Sequence, residues 1–203
     1  LAGRSINCRH NHKNKSDILS SRLVSTRLLS DAVSACQNPP KLWINASATG
    51  IYSHNVTQPH TENSDNYATD FLSHVVQSWE DAFFSPQHPN TRKVALRFSV
   101  VLGKNGGALQ PLKLLTRMGL GGKQGHGKQM FSWIHIADLY RIIDLVIKNT
   151  NINGVINCAA PNPVSNADLM KTLREIMGMK IGLPAPAFAV RIGTFLIGTD
   201  SNL

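Results

Sequence analysis

A short segment rich in hydroxyl groups follows an apolar run in the first quarter of the chain. Residues 42–46, Leu-Trp-Ile-Asn-Ala, lead directly into a small-residue turn that contains Ser47, Thr49 and Tyr52. Two hydroxyls and a phenol can hydrogen-bond a substrate oxygen or carry a proton. In a doubly wound α/β sheet, ligands bind beyond the carboxyl ends of the strands, where these side chains would lie. We therefore take Ser47, Thr49 and Tyr52 as candidate catalytic residues, with a polar turn that only caps a strand as the alternative.

Other motifs that carry chemistry are incomplete in this chain. Gly122, Gly127 and Lys128 have the spacing of a phosphate-binding P-loop, but Gln129 stands where that loop needs a serine or threonine for magnesium. A strand-like run follows instead of a helix N-terminus, so a flexible substrate-side loop is the better interpretation. The sequence contains no G-x-S-x-G or H-E-x-x-H pattern, which removes two common hydrolase interpretations.

One histidine and three cysteines are weaker candidates for a catalytic or metal-binding role. His135 lies in a strand-like apolar run, where a satisfied core histidine is more common than a catalytic one. Asp138, close by, is expected to cap the helix that follows. Cys8, Cys36 and Cys158 are far apart and form no C-x-x-C or His/Cys cluster. We therefore expect no metal site and no disulfide framework, only reduced, buried thiols.

The composition is that of a globular protein with a basic surface. Hydrophobic residues make up 42% of the 203 residues and charged residues 16%, which argues against disorder. The net charge is +9, but the basic residues are scattered, and the most basic stretch, 4–15, has no aromatic residues for base stacking. An anionic small molecule therefore explains the charge better than nucleic acid. With no apolar run of about 18 residues and no signal-peptide pattern, we expect a cytoplasmic protein that binds no membrane.

Amphipathic and apolar segments alternate along the chain. Helical spacing predicts helices over residues 16–36, 70–84, 109–118, 138–148 and 166–177. Short apolar runs predict strands over residues 42–46, 94–101, 130–136 and 154–158. This alternation is typical of βαβ units, and it predicts an α/β fold with a parallel sheet flanked by helices.

Several motifs, in order along the chain, resemble one protein family. Examples are Leu-Ala-Gly at 1–3, Ser-Ala-Thr-Gly-Ile-Tyr at 47–52, Arg-Phe-Ser-Val-Val-Leu-Gly at 97–103 and Ser-Trp-Ile-His-Ile-Ala-Asp-Leu at 132–139. Further matching stretches are 70–72, 79–80, 106–109, 119–122 and 159–166. Together they resemble the epimerase family proteins, an NAD(P)-dependent epimerase/dehydratase-like branch of the extended, atypical short-chain dehydrogenase/reductase superfamily with a C-terminal domain of unknown function.

The resemblance implies a Rossmann-type, doubly wound parallel sheet with a small C-terminal substrate-side subdomain. Residues 1–160 would be the C-terminal part of the NAD(P)-binding domain, with substrate-side loops at 103–130, and residues 161–203 would begin the small subdomain. The glycine fingerprint of the first βα turn, which lets the backbone approach the pyrophosphate, is absent from the sequence. We therefore expect a chain truncated at both ends, without about three N-terminal strands at ~30 residues per βαβ step.

The same resemblance implies NADP(H) as the cofactor. Leu1 and Ala2 would lie against it, Asp17 and Arg22 would face its adenosine half, and Val101 would approach the nicotinamide end. The guanidinium of Arg22 can pair with phosphate oxygens in bidentate fashion, although a solvated helix arginine is the plain alternative. The expected site is a dinucleotide-shaped crevice on which the strand ends converge.

The chain departs from the superfamily in its catalytic pair. Counting back from Glu80, the positions of the usual acid/base tyrosine and lysine fall on Leu72 and Val76, and the helper serine falls on Ala48. No Tyr-x-x-x-Lys occurs anywhere in the sequence, and aliphatic side chains cannot donate a proton. The usual hydride mechanism is therefore not available in its usual form.

Three functions remain open at this point. The leading hypothesis is an NADP(H)-binding, epimerase/dehydratase-like oxidoreductase or isomerase that acts on an unknown small molecule. The alternatives are a non-catalytic, cofactor-binding regulatory or sensor protein, and a fragment that no longer binds cofactor. The partners expected are the dinucleotide and the small-molecule substrate, and a homo-oligomer is compatible with the sequence.

Overall fold

The computed structural model describes residues 3–55, 57–104 and 106–185. The helices are α1 (His12–Ala35), α2 (Phe71–Phe84), α3 (Leu109–Arg117), α4 (Ile136–Lys148) and α5 (Asn166–Ile176). The strands are β1 (Leu42–Ala48), β2 (Arg92–Phe98), β3 (Val100–Gly103), β4 (Gly106–Gly107), β5 (Met130–Phe131), β6 (Trp133–His135), β7 (Gly154–Cys158) and β8 (Val164–Ser165). The alternation predicted from the sequence is thus confirmed, with shifts at the element boundaries.

The chain divides into two compact units, and each draws on separate stretches of sequence. The first comprises Leu1–His54, Gln58–Ser99 and Tyr140–Cys158, and the second Asn55–Thr57, Val100–Leu139 and Ala159–Leu203. The predicted assignment of residues 1–160 to one domain and 161–203 to another stays a prediction.

A three-stranded parallel sheet forms the centre of the first unit. Its order is β1-β2-β7, and β2 pairs in parallel with both neighbours. The middle strand is the most buried, since Val94, Ala95 and Leu96 are at most 1% exposed. Such a continuous apolar run is typical of a parallel strand covered on both faces. Strands β1 and β2 are joined through α2, which is the crossover that parallel neighbours require.

Side-chain caps set where helices α1 and α2 begin. The carboxylate of Asp70 accepts a hydrogen bond from the backbone N–H of Ser73 at 2.9 Å, and α2 begins directly after it, as predicted. Helix α1 begins at His12, four residues before the predicted start at Ser16, because the side chain of Asn11 caps it by accepting from the N–H of Asn14.

Two small sheets belong to the second unit. Strand β3 pairs in parallel with β6 and antiparallel with β4, while β5 pairs antiparallel with β8. The predicted strand over 94–101 is therefore wrong as a single element: the chain leaves β2 at Phe98 and begins β3 at Val100. Between them, the N–H and hydroxyl of Ser99 both donate to the carbonyl of Cys158. The predicted strand over 130–136 is likewise two strands, separated by Ser132.

The glycine-dense segment 119–125 is paired rather than free. The N–H of Gly122 donates to Leu183 O at 3.0 Å, the N–H of Leu183 donates to Gly119 O at 2.8 Å, and the N–H of Gly125 donates to Ala185 O at 2.9 Å. A Cβ on Gly122 would lie 2.6 Å from the backbone of Gly182 and Leu183, so only glycine allows this approach. This corrects the expectation of a flexible loop, and its place on the substrate side stays a prediction.

The start of α4 differs from expectation. The helix begins at Ile136, so Asp138 lies within its first turn instead of at its cap. The ring Nδ1 of His135 accepts a hydrogen bond from the N–H of Ala137 at 3.2 Å, and the His135 side chain is exposed. The expectation that His135 is a core histidine is therefore wrong.

Candidate functional site

A row of polar residues crosses the three parallel strands one position before their carboxyl ends. Ser47 of β1 is in register with Arg97 of β2, and Arg97 is in register with Asn157 of β7. Residues in register on neighbouring strands point to the same face of a sheet. The three side chains therefore share one face at the end of the sheet where ligands bind in open α/β folds.

The guanidinium of Arg97 forms a buried, bidentate ion pair with Glu80 of α2. Its Nε lies 2.8 Å from Oε1 and its Nη2 lies 2.6 Å from Oε2. The two side chains are 3% and 10% exposed, so water contributes little to their solvation. Burial by itself lowers the pKa of Arg97, but the hydrogen bond and charge of Glu80, together with Tyr52, outweigh it and raise that pKa. Arg97 is therefore a permanent cation held by a fixed carboxylate.

Ser47 belongs to the same cluster. Its hydroxyl donates to Glu80 Oε1 at 2.5 Å, and the residue is 4% exposed. Since a serine hydroxyl has a single proton to donate, that proton is committed to the carboxylate. The structure thus places Ser47 where it can orient Glu80.

Tyr52 connects the ion pair to the surface. Arg97 Nη1 donates to the phenol oxygen at 2.5 Å, and the guanidinium carbon lies 5.1 Å from the centre of the ring. The phenol oxygen also lies 2.9 Å from Asn157 Oδ1 and 3.1 Å from Thr61 O. One phenol proton can serve only one of these two acceptors at a time. Tyr52 is half-buried, and of the three candidate catalytic residues it is the one that combines an exposed side with contacts to the cluster.

Thr49 lies apart from that cluster. It begins a 3-10 turn (Thr49–Ile51) after β1, and its hydroxyl donates to Phe98 O at 3.3 Å. The structure therefore brings Ser47 and Tyr52 together through Glu80 and Arg97, while Thr49 contacts the end of β2. A catalytic role for these three residues stays a prediction.

The residues predicted to contact the cofactor fall into three groups. Leu1 and Ala2 lie outside the described residues. Val101 is half-buried in β3 of the second unit, in register with Ile134 of β6. Asp17 and Arg22 both lie on α1.

Asp17 faces a shallow surface depression, while Arg22 is committed to backbone carbonyls. Asp17 forms an ion pair of 3.2 Å with Arg4, and both side chains are about two fifths exposed, at 39% and 44%. Arg22 Nη1 donates to Ile18 O at 2.9 Å and to Arg4 O at 3.1 Å, and its guanidinium lies 5.4 Å from the Trp79 ring centre. Burial lowers the pKa of Arg22. The depression beside it measures about 520 Å³ and is lined by Gly3, Arg4, Asp17, Ser20, Ser21 and Val24.

The sequence analysis did not identify Glu80, Arg97 and Asn157 as parts of the site. One signal was present, because a charge inside a strand with buried neighbours needs an ionic partner. Glu80 is that partner, and it is one of the buried residues of α2. For Asn157 the sequence carries no comparable signal, since its role depends on the register between β2 and β7.

The three cysteines differ in burial. Cys158 is fully buried, whereas Cys36 is exposed and Cys8 is half-buried, so the expectation of three buried thiols is wrong for two of them. Among the residues that the structure describes, no group of three His, Cys, Asp or Glu side chains could hold a metal ion. Within the same part of the chain, no helix combines the length and the apolar character that crossing a membrane requires.

The fold and the strand-end cluster define an α/β protein of the Rossmann type, with its polar residues at the carboxyl ends of a parallel sheet. The family model of the NAD dependent epimerase/dehydratase family matches residues 1–159. The chain belongs to that family. This confirms the family and the fold class expected from the sequence motifs.

Two curated relatives are more than a third identical to this chain over the residues that align. Epimerase family protein SDR39U1 of Homo sapiens is 36% identical over 183 residues, which are 90% of this chain and 62% of the human protein. Epimerase family protein YfhF of Bacillus subtilis (strain 168) is 38% identical over 188 residues, which are 93% of this chain and 62% of that protein. The chain thus spans less than two thirds of the length of these relatives.

A solved structure has the same fold. Human epimerase family protein SDR39U1 (isoform 2), crystallised with NADPH, superimposes with a TM-score of 0.87 at 35% sequence identity. The match covers 95% of this chain and 66% of the human chain. The parallel sheet with flanking helices described above is therefore an arrangement that a relative also has.

Proposed function

We propose that the protein binds NADP(H) and is an epimerase/dehydratase-like oxidoreductase or isomerase acting on a small molecule. The observation that carries the proposal is the polar row at the carboxyl ends of the parallel strands, because that edge is where dinucleotides bind in this fold. Membership of the family supports it, and so does the human relative that was crystallised with NADPH.

The depression on α1 fits part of a dinucleotide. Carboxylate and hydroxyl groups such as those of Asp17 and Ser20 hydrogen-bond ribose hydroxyls. The guanidinium of Arg4 pairs with Asp17 and donates to Asn14 Oδ1, so phosphate oxygens would replace these contacts. Arg22 was predicted to face the adenosine half of the cofactor, and this stays a prediction; its Nη1 donates to the carbonyls of Ile18 and Arg4. We assign it the positioning of Arg4 and the segment that follows Gly3.

Within the proposed reaction, a bound nicotinamide supplies or accepts the hydride, and the chain must handle the proton. Tyr52 is the residue that we assign to this step, because its phenol is half-buried and is held by Arg97 and Asn157. Glu80 holds Arg97 in place, and Ser47 orients Glu80. Thr49 is assigned to hydrogen bonding on the substrate side.

A non-catalytic, cofactor-binding sensor is the second candidate. The observation that favours it is the commitment of the Ser47 hydroxyl to Glu80, in a chain that also has no Tyr-x-x-x-Lys. Such a site could hold a dinucleotide and transmit its redox state without transferring hydride.

Calorimetric titration with NADPH, followed by turnover assays on sugar nucleotides and carbonyl compounds, tests these candidates. Saturable binding with turnover that Tyr52→Phe abolishes and Thr49→Val weakens supports the enzyme. Binding without turnover across the panel supports the sensor. Absence of NADPH binding contradicts both, and it is the result expected of a fragment that has lost its cofactor site.

A further inference from the structure

Residues 58–68 form a strap that lies over the strand-end cluster of the first unit. Its base is fixed by backbone hydrogen bonds, from Ser53 N to Asn66 O at 3.0 Å and from Ala68 N to Ile51 O at 2.9 Å. Its middle is held by ring stacking, because the imidazole of His60 lies parallel to the Tyr52 ring at 4.8 Å between centres. The strap is therefore anchored at its base and rests on Tyr52.

The strap places two oxygen acceptors on two donors of the cluster. The carbonyl of Thr61 lies 3.1 Å from the phenol oxygen of Tyr52, which can donate to it. The carboxylate of Glu62 accepts from the backbone N–H of Asn157, with 2.8 Å between N and Oε1. The second contact is charge-assisted and is the stronger of the two.

The two acceptor residues of the strap are more exposed than the two donor residues of the cluster. Thr61 and Glu62 are exposed, whereas Tyr52 and Asn157 are half-buried at the end of the sheet. Surface loops are the part of a fold where local opening costs the least free energy. When the strap opens, the N–H of Asn157 and the hydroxyl of Tyr52 are left without these two acceptors.

The charge of Glu62 also acts on its surroundings. Burial raises the pKa of the Cys158 thiol to about 12, and the negative charge of Glu62 adds to this effect. A carboxylate therefore lies close to the end of β7, at a place that offers it a backbone N–H.

We infer that the Asn157 N–H and the Tyr52 hydroxyl are two donors of a subsite for the oxygens of an anionic group, and that Glu62 and Thr61 fill this subsite from within the chain. A ligand that carries carboxylate or phosphate oxygens competes with the strap for these donors. Tight ligand binding therefore includes displacement of Glu62, which makes the strap an internal competitor. The inference rests on the proposed function in one respect, which is that ligands bind at the carboxyl end of the sheet, where this subsite lies.

The test is anion binding by the Glu62→Ala variant, observed at the backbone amide of Asn157 by NMR. Acetate and inorganic phosphate are titrated separately at constant ionic strength, with chloride as the compensating ion. The matched control is Asp65→Ala, which removes a carboxylate from the same strap without touching the contact to Asn157. Unfolding midpoints of both variants confirm that they are folded.

The inference predicts a saturable shift of the Asn157 amide in Glu62→Ala, at anion concentrations at least about tenfold below those needed for wild type or Asp65→Ala, because an internal competitor weakens apparent affinity. Preference for acetate identifies a carboxylate ligand, and preference for phosphate identifies a phosphate-bearing one. An Asn157 amide that does not respond in Glu62→Ala overturns the inference, as does an equal response in all three proteins. Neither outcome depends on NADPH, so this test and that of the proposed function can fail separately.

Discussion

Both ends of strand β2 carry cations, and Arg97 at the carboxyl end is held differently from Lys93 at the amino end. At the carboxyl end, Arg97 faces the carboxylate of Glu80, and its pKa is raised. At the amino end, Lys93 donates to two neutral carbonyls, Phe83 O at 2.8 Å and Pro86 O at 2.5 Å. Burial lowers the pKa of Lys93, since no carboxylate offsets it. The pKa of a cation in this sheet therefore depends on whether a carboxylate pairs with it, and not on the strand to which it belongs.

The amino end carries a different set of polar groups. A shallow cavity of about 280 Å³ lies there, lined in part by His88, Lys93 and Asn153. The ring nitrogens of His88 face the hydroxyls of Ser30 and Ser34 at 2.9 and 3.4 Å. At this end Arg92 and Lys93 donate to backbone carbonyls and His88 faces two hydroxyls, which suits a structural role, whereas at the carboxyl end the cation of Arg97 is paired with a carboxylate and a phenol.

The largest expected effect comes from breaking the buried ion pair. Arg97→Met or Glu80→Met leaves an unpaired buried charge and should lower the free energy of unfolding by about 3–5 kcal/mol. Lys93→Met at the other end should cost at most about 2 kcal/mol, because it removes hydrogen bonds from a partly exposed cation. Urea unfolding measures both.

The double variant sharpens this prediction. Arg97→Met combined with Glu80→Met leaves neither charge unpaired and should cost clearly less than the sum of the single variants. Additive costs, or a loss in Lys93→Met equal to that in Arg97→Met, would contradict the distinction between the two ends.

Thiol labelling should separate Cys158, the last residue of β7, from Cys36, which precedes the amino end of β1. The pKa of about 12 leaves Cys158 almost entirely protonated at pH 8, and the residue is 0% exposed. Cys36 is exposed and should react with iodoacetamide orders of magnitude faster. Mass spectrometry of timed samples locates the label. Equal rates in the folded protein would show that the end of β7 is open to solvent.

The smallest effect concerns His88 at the amino end. Burial, and secondarily the charge of Lys93, lowers the pKa of His88 below its ordinary value. As the pH falls below about 6.5, the ordinary pKa of a histidine, the unfolded state therefore binds more protons than the folded state. The contribution of neutral His88 to the free energy of unfolding is complete above that pH, and it is lost as the pH falls from the unfolded-state pKa towards the lower folded-state pKa. Thermal unfolding between pH 5 and 7.5 should show this decrease, and His88→Gln should reduce it. An unchanged slope in the variant would remove His88 as its source.

Much of the fold followed from local sequence patterns, because apolar runs and helical spacing are properties of consecutive residues. Asp70 marked the start of α2 for the same reason. The break at Ser99 could not be predicted, since it results from two hydrogen bonds to Cys158, far away in the sequence.

The candidate site was predictable only in part. The hydroxyl-rich turn located Ser47 and Tyr52 at the carboxyl end of the sheet, but their connection runs through Glu80, Arg97 and Asn157. Those contacts join three strands and a helix, so they depend on register and packing that no local pattern encodes. Family motifs supplied the fold class and the cofactor hypothesis, and neither of these identifies the ion pair.

Hydrogen–deuterium exchange with and without NADPH tests most directly whether the two ends of the sheet differ in function. The account predicts that NADPH increases protection around residues 46–52, 97–98 and 157–158, at the carboxyl ends of the strands. It predicts no change around 42–43, 92–93 and 154, at the amino ends. Protection confined to the amino ends, or no protection in any strand at saturating NADPH, would contradict it.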